Sequence, residues 1–267
     1  MNLNDIGTQL LFTTVPIWTE SASGSASSAT AFIYNAPVPD KHEQSIPFLV
    51  TNHHVVSGAK RALIELVGKV DESPATDRRV RAELDAATLA KHVNEQLDLV
   101  AIPLGPLLNQ LQAAGRPAFF RSVGPELIPT PEVLQDLAAL EDVVFIGYPS
   151  GLRDEKNATP LIRRGITSTP VWNDFQGNPC FLIDAGVFPG SSGSPVFILN
   201  QGAYPTKTGL VVGSRLLFLG VLAKSMIRSA QSGEVYLGLG QVIRSTAVKS
   251  FVDQALEDLL QGGLTKP

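Results

Sequence analysis

Three short segments of this sequence carry side chains that together could perform nucleophilic catalysis. An apolar run ends in the pair His53-His54, Asp98 interrupts a second apolar run, and Ser192 lies among small residues between two strand-like segments. A serine hydroxyl becomes a strong nucleophile when a neighbouring base removes its proton and a third group orients that base. The segments therefore predict a serine nucleophile, a histidine base and an orienting carboxylate.

Each segment also has an ordinary structural interpretation. The histidines could close a strand, Asp98 could face water at a strand entrance, and Ser192 could lie in a Gly/Ser hairpin loop. A buried carboxylate needs a partner, however, and a histidine N–H is a suitable one. Glycines near Ser192 permit a tight turn that could aim the N–H groups of Gly190 and Ser192 at one oxyanion.

The same segments resemble the motifs of a known peptidase family. Residues 190–195, GSSGSP, are similar to the G-[DN]-S-G-[GS]-P nucleophile motif of chymotrypsin-fold (trypsin-like) serine peptidases. Residues 51–56, TNHHVV, resemble the T-N-x-H-V-V motif of the bacterial, HtrA-like branch, which includes stand-alone trypsin-like peptidases. Residues 97–101, LDLVA, resemble the family's D-[LI]-A-[VL] motif. The order His, Asp, Ser is also that of the family.

The resemblance implies an all-β fold of two six-stranded antiparallel β-barrels followed by a C-terminal α-helix. It extends over nearly all of the chain, so residues 1–267 are predicted to form one trypsin-like peptidase domain. The N-terminal barrel is expected over about 1–125, the C-terminal barrel over about 126–245, and the helix over about 246–260.

The resemblance also implies an activity, which is hydrolysis of peptide bonds by a serine endopeptidase through an acyl-enzyme intermediate. His54, Asp98 and Ser192 would form the catalytic triad, since the family motif places the catalytic histidine second in the pair with His53. The backbone N–H groups of Gly190 and Ser192 would form the oxyanion hole. Such a mechanism requires no metal and no organic cofactor.

Substrate contacts are predicted from the same resemblance. Gly186, six residues before the nucleophile, would form the bottom of the pocket that binds the substrate side chain. A glycine there argues against a salt bridge to lysine or arginine, and it favours a small or apolar side chain. Phe218, Leu219 and Gly220 would form the strand that pairs with an extended substrate backbone. The expected partner is a protein or peptide substrate.

Ser191 departs from the pattern of the digestive relatives, which have aspartate at this position. That aspartate pairs with a new N-terminus after zymogen cleavage, so this chain is not expected to use that switch. The hypothesis is either constitutive activity or control by a regulatory protein partner that rearranges the loop carrying Ser192. The alternatives to a peptidase are a catalytically silent binding or scaffold module and an esterase on the same fold.

The elements that must position these residues are mostly short strands. A dozen runs of four to nine residues, rich in Val, Ile, Leu and Phe, predict an all-β chain. They lie at 8–15, 29–34, 47–52, 61–67, 79–84, 98–102, 143–147, 161–168, 180–184, 195–199, 215–223 and 235–239. Helices are predicted at 106–114, at 131–140 and, most clearly, at 246–260. The Ser/Ala-rich segment 21–30 is expected to be a flexible surface loop.

Composition narrows the function classes. The net charge of −4 argues against nucleic acid as the main partner, although Arg163 and Arg164 could form a local basic patch. Cys180 is the only cysteine, which excludes an intramolecular disulfide and fits a reducing compartment. The N-terminus lacks the pattern of a signal peptide, and no apolar run is long enough to span a membrane. A cytoplasmic protein without a membrane partner is the expectation.

Overall fold

The computed structural model describes residues 2–41, 44–207, 209–230 and 233–264. In the first half of the chain, eight strands form one antiparallel sheet. These strands are β1 (Thr14–Ser21), β2 (Ala26–Pro37), β3 (Ser45–Thr51), β4 (Ala59–Val70), β5 (Ser73–Asp85), β6 (Val93–Asn94), β7 (Leu99–Pro103) and β8 (Ala118–Phe119). Their order is β5-β4-β1-β2-β3-β7-β6, with β8 paired to β4. The sheet has eight members rather than the predicted six because two-residue β6 and β8 join the six longer strands.

In the second half of the chain, six strands close into a barrel. They are β9 (Asp142–Gly147), β10 (Leu161–Thr167), β11 (Cys180–Asp184), β12 (Pro195–Asn200), β15 (Arg215–Ala230) and β16 (Gly233–Arg244). Their order around the barrel is β10-β11-β16-β15-β12-β9. The predicted six-stranded barrel is therefore confirmed. A separate hairpin is formed by β13 (Ala203–Thr206) and β14 (Gly209–Val212).

The helices of the described residues are mostly short. They are α1 (Ile6–Leu10), α2 (His53–Val56), α3 (Ala86–Leu89), α4 (Gly105–Ala113), α5 (Pro131–Asp136) and α6 (Ser245–Leu264). The sequence explains the start of α5, where the Thr130 hydroxyl accepts a hydrogen bond from the backbone N–H of Val133 and Pro131 takes the first helical position. The predicted C-terminal helix is confirmed as α6. No helix in the described ranges combines the length and apolar character needed to cross a bilayer.

The largest apolar cluster is shared by the two halves of the chain. At its aromatic centre, Phe218 of β15 contacts both Phe32 of β2 and Phe197 of β12, with ring centroids 5.6 Å apart in each pair. Helix α6 contributes one face to the same cluster, namely Val248, Phe251, Val252, Ala255 and Leu256. Each half also has a smaller cluster of its own. Because both halves bury side chains in this one cluster, separating them would expose apolar surface to water.

Two local predictions near the N-terminus were wrong. Residues 8–10 of the strand predicted at 8–15 belong to α1 instead, since the Asp5 carboxylate accepts a hydrogen bond from the Thr8 N–H at 2.7 Å and caps this helix. The segment 21–30, expected to be a loop, enters β2 at Ala26, and Thr30 is completely buried. Small residues give no apolar signal, yet they fit where two backbones approach closely. A Cβ on Gly193 would lie 1.9 Å from the Thr30 carbonyl oxygen.

Candidate active site

Two neighbouring strands position His54 and Asp98. Strand β3 ends just before the turn of α2 that carries His54, and β7 begins one residue after Asp98. Because β3 and β7 are paired antiparallel, the end of one strand lies beside the start of the other. The backbone carbonyl of Asp98 accepts hydrogen bonds from the His53 N–H at 3.1 Å and from the Asn52 side-chain amide at 3.0 Å. These bonds hold Asp98 in a left-handed conformation, with φ of 55°.

A continuous hydrogen-bonded chain joins the three predicted side chains. The Asp98 carboxylate lies 2.7 Å from Nδ1 of His54 through Oδ2, and its Oδ1 accepts the backbone N–H of His54 at 2.9 Å. Nε2 of His54 lies 3.1 Å from Oγ of Ser192. With the Nδ1 proton directed at Asp98, Nε2 is free to accept the serine proton. The arrangement has the geometry of a general base beside an activated hydroxyl.

The loop between β11 and β12, residues 185–194, is called here the nucleophile loop. Its N–H groups divide into two sets. Those of Ser191, Gly193 and Ser194 donate to backbone carbonyls of the protein. Those of Gly190 and Ser192 have no acceptor anywhere in the described part of the chain. The two N–H groups predicted for an oxyanion hole are thus free in the described structure, as are those of Gly186, Val187 and Phe188 earlier in the loop.

Contacts from both halves of the chain fix the nucleophile loop. The Thr30 hydroxyl donates to the Gly190 carbonyl at 2.9 Å and accepts the Tyr148 N–H at 2.9 Å. The Ser150 N–H donates to the Pro189 carbonyl at 2.6 Å. Since the carbonyls of Pro189 and Gly190 are both engaged, the peptide between them cannot turn its carbonyl toward the reacting centre without losing a hydrogen bond.

Substitution of Gly190 by alanine tests how strictly this conformation is required. Gly190 has a φ of +87°, and an added Cβ would lie 2.7 Å from both the Ser150 nitrogen and the Tyr148 oxygen. For the peptide hydrolysis predicted from the sequence, we expect kcat to fall by roughly 10²-fold or more, the usual effect of losing one oxyanion donor. Steady-state kinetics on a peptide substrate measure the effect.

Gly177→Ala is the matched control, because Gly177 has a similar φ of +77° but no atom within 4 Å of an added Cβ. It should lose stability through backbone strain alone and keep kcat near the parent value. Equal kcat in Gly190→Ala and the parent would contradict the assignment of Gly190.

For three residues, the predicted role in binding the substrate was wrong. Phe218 is completely buried in the shared cluster and Leu219 is also buried, so neither can contact a substrate. Gly220 is paired on both sides, to Val196 of β12 and Arg244 of β16. A chain laid along these residues would have to displace a barrel strand.

The part of β15 that reaches the site lies a few residues further on. Strand β12 ends its pairing with β15 at Val221, and beyond it no described strand covers that side of residues 223–225. The other side of Lys224 and Ser225 is paired with β16. The Ala223 carbonyl accepts a hydrogen bond from the Ser192 hydroxyl at 2.9 Å. Residues 223–225 therefore present an open strand edge beside the serine.

The remaining predicted residue, Gly186, lies at the surface near the start of the nucleophile loop. Its carbonyl accepts a hydrogen bond from the Arg163 guanidinium of β10. The positions that sequence reasoning missed are thus Thr30, Ser150, Ala223 and Arg163. All four act through contacts with distant parts of the chain, and no local pattern marks them.

Comparisons with known proteins agree with the fold. A family model described as "Trypsin-like peptidase domain" matches residues 29–203. The HtrA-type protease AlgW with a tripeptide is a similar solved structure, at a TM-score of 0.53 and 17% identity, over 97% of this chain and 64% of that chain. The HL collagenase is similar at a TM-score of 0.50 and 12% identity, over 93% and 94%. A search of curated proteins finds no match. The chain thus spans less than two thirds of the AlgW chain.

Proposed function

The chain belongs to the trypsin-like peptidase domain family, and on that basis we propose that it is a serine endopeptidase with His54, Asp98 and Ser192 as its catalytic triad. The observation that carries the proposal is the chain of contacts at 2.7 Å and 3.1 Å that joins the three side chains. This mechanism is the established one for serine peptidases, and only the assignment of residues is specific to this chain.

In the first step, Oγ of Ser192 attacks the peptide carbonyl while Nε2 of His54 takes the hydroxyl proton. Collapse of the tetrahedral intermediate breaks the C–N bond, and His54 delivers the proton to the leaving amine. Water then hydrolyses the acyl-enzyme by the same route in reverse. Before attack, the Ser192 hydroxyl must turn from the Ala223 carbonyl to His54, since both acceptors lie within reach.

The oxyanion would be bound by the free N–H groups of Gly190 and Ser192. Each such donor contributes about 3–4 kcal/mol to stabilising the transition state. The substrate backbone would add as an antiparallel strand to residues 223–225, in place of the buried residues first predicted. Main-chain hydrogen bonds along that edge would hold the scissile bond at Ser192.

Activity without zymogen cleavage is part of the proposal. Ser191 is buried, and its hydroxyl has no partner among the described residues, so no ion pair to a new N-terminus anchors the loop. Thr30 and Ser150 supply the anchoring hydrogen bonds instead. A strict requirement for N-terminal processing before turnover would contradict this part.

A fluorophosphonate probe tests the proposed function directly, because it phosphonylates only an activated serine. We expect labelling of the parent protein and none of Ser192→Ala. Ser191→Ala is the matched control and should still be labelled, since it removes a neighbouring hydroxyl that has no partner in the described structure. Labelling is read by intact mass and by peptide mapping of the modified residue.

The two rival functions give different results in the same assay. A catalytically silent binding module would not label under any condition. An esterase would label, and it would then hydrolyse ester but not peptide substrates of the same sequence. The proposal requires both labelling and cleavage of a peptide bond.

A further inference from the structure

An arginine occupies an inward-facing position of the closed barrel. Arg163 of β10 is paired with Phe145 of β9, and Gly165 is paired with Val143. Phe145 and Val143 are buried in the barrel's own apolar cluster. Paired residues point to the same face of a sheet, so Arg163 shares the inner face with them. A cation at such a position is costly unless something compensates its charge.

No carboxylate of the described structure forms an ion pair with Arg163. Its guanidinium donates to the Gly186 carbonyl and lies over the Phe145 and Phe188 rings, 5.4 Å and 5.0 Å from their centroids. The adjacent Arg164 points outward and pairs with Asp142 at 2.6 Å. The two arginines therefore do not form a common basic patch, and Arg163 is left with neutral partners only.

The position of this cation relative to the serine is set by the nucleophile loop. A Cβ on Gly186 would lie 2.9 Å from a guanidinium nitrogen of Arg163, so the cation fills the space in front of Gly186. The same stretch of loop faces the open edge of β15, because the Ser225 hydroxyl donates to the Val187 carbonyl at 3.1 Å. A substrate side chain next to the attacked carbonyl would enter between these two segments, toward Phe188 and Arg163.

We propose that Arg163 selects substrates with a carboxylate side chain, glutamate or aspartate, at the residue whose carbonyl is attacked. This inference rests on the proposed peptidase function and names its substrate class. A guanidinium presents five N–H donors, and a carboxylate accepts two of them in parallel. The bound carboxylate would supply the counter-ion that the barrel itself does not provide. The proposed substrate therefore carries an acidic side chain at this position, and not the small or apolar one predicted from Gly186 alone.

A purely structural role for Arg163 makes a different prediction. If the arginine only anchored the Gly186 carbonyl, its loss would change stability and kcat for all substrates alike. A specificity role changes the ratio of kcat/KM between charged and neutral substrates. That ratio should also fall as ionic strength rises, because salt screens a partly exposed ion pair.

The test compares four peptides that differ only at the residue before the scissile bond, which is Glu, Asp, Gln or Leu. For the parent enzyme we expect kcat/KM for Glu to exceed that for Gln by roughly 10- to 100-fold, the usual effect of a charge-assisted hydrogen bond. Arg163→Gln should bring the ratio near one. Arg164→Gln, the matched control on the outer face of the same strand, should leave the ratio unchanged. Cleavage of Gln or Leu peptides as fast as Glu peptides by the parent enzyme would overturn the proposal.

Two further measurements separate this inference from the proposed function. If the fluorophosphonate labels Ser192 but the peptide kinetics show no preference for Glu, the role of Arg163 is contradicted and the proposed peptidase function is not. Binding of the same peptides to Ser192→Ala, followed by fluorescence anisotropy, measures the preference even if no peptide is cleaved. Equal affinity for the Glu and Gln peptides would overturn the proposal there too. If Arg163→Gln fails to fold, these parent and Ser192→Ala measurements decide the question alone.

Discussion

Replacing His54 with alanine is expected to lower kcat for peptide hydrolysis by about 10⁶-fold, the loss known for the catalytic histidine of serine peptidases. The reason is that Nε2 of His54 lies 3.1 Å from the Ser192 hydroxyl and is the only side-chain base within hydrogen-bond distance of that oxygen in the described structure. Residual turnover would come from the oxyanion donors and from substrate binding. Single-turnover kinetics with enzyme in excess give the sensitivity required.

His53→Ala is the matched control for this experiment. The two histidines are adjacent in the sequence. His53 contacts Asp98 through its backbone N–H and not through its ring. Its side chain has no hydrogen bond to Asp98 or Ser192 in the described structure, so kcat should stay within a few-fold of the parent value. A larger loss in His53→Ala than in His54→Ala would overturn the triad assignment.

Replacing Glu65 with glutamine is expected to destabilise the fold by roughly 3–5 kcal/mol, the usual cost of removing one partner from a buried ion pair. The Glu65 side chain on β4 is only 3% exposed, and Arg153, 7% exposed, donates to it at 2.8 Å. Arg81 and Arg79 approach the same carboxylate at 2.7 Å and 3.5 Å. The substitution removes the buried charge partner of Arg153 and leaves it only the exposed carboxylate of Glu155, at 2.8 Å. Urea unfolding with linear extrapolation measures the change.

The same substitution should also reduce kcat. Arg153 lies three residues from Ser150, whose N–H holds the Pro189 carbonyl, so loosening Arg153 loosens the support of the nucleophile loop. Glu83→Gln on β5 is the control, since Glu83 is 57% exposed and its pair with Arg61 at 3.3 Å is worth at most about 1 kcal/mol. A stability loss in Glu65→Gln no larger than in Glu83→Gln would contradict the prediction.

The three residues of the proposed triad could be singled out from the sequence because each is marked by its immediate neighbours. Asp98 interrupts an apolar strand, the His53-His54 pair ends one, and the glycines near Ser192 indicate a tight turn. Local patterns also placed β9, β10, β11 and β12 within one residue of their observed bounds, whereas β15 and β16 extend seven and five residues beyond their predicted ends. The structure brings the three side chains together, and it leaves the N–H groups of Gly190 and Ser192 without an acceptor among the described residues.

What the sequence could not predict depends on register and long-range packing. Residues 215–223 are almost uniformly apolar, so their pattern does not reveal which side chains face the core. The open edge starts at Ala223 rather than at Phe218 because the pairing of β15 with β12 continues as far as Val221. Thr30 is hidden in a Ser/Ala-rich segment that has no apolar signal. The inward orientation of Arg163 follows only from its pairing with Phe145 across β9 and β10.

The apolar cluster shared by the two halves also has a consequence for a chain that is still being made. Synthesis produces His54 and Asp98 early and Ser192 later, and α6, which contacts β2 and β7 of one half and β15 and β16 of the other, emerges last of these. Until α6 covers the cluster, its apolar faces stay in water and one of the contacts that join the halves carrying His54 and Ser192 is missing. Under the proposed function, a chain that has not yet completed α6 would therefore hold its triad less firmly than the finished fold does.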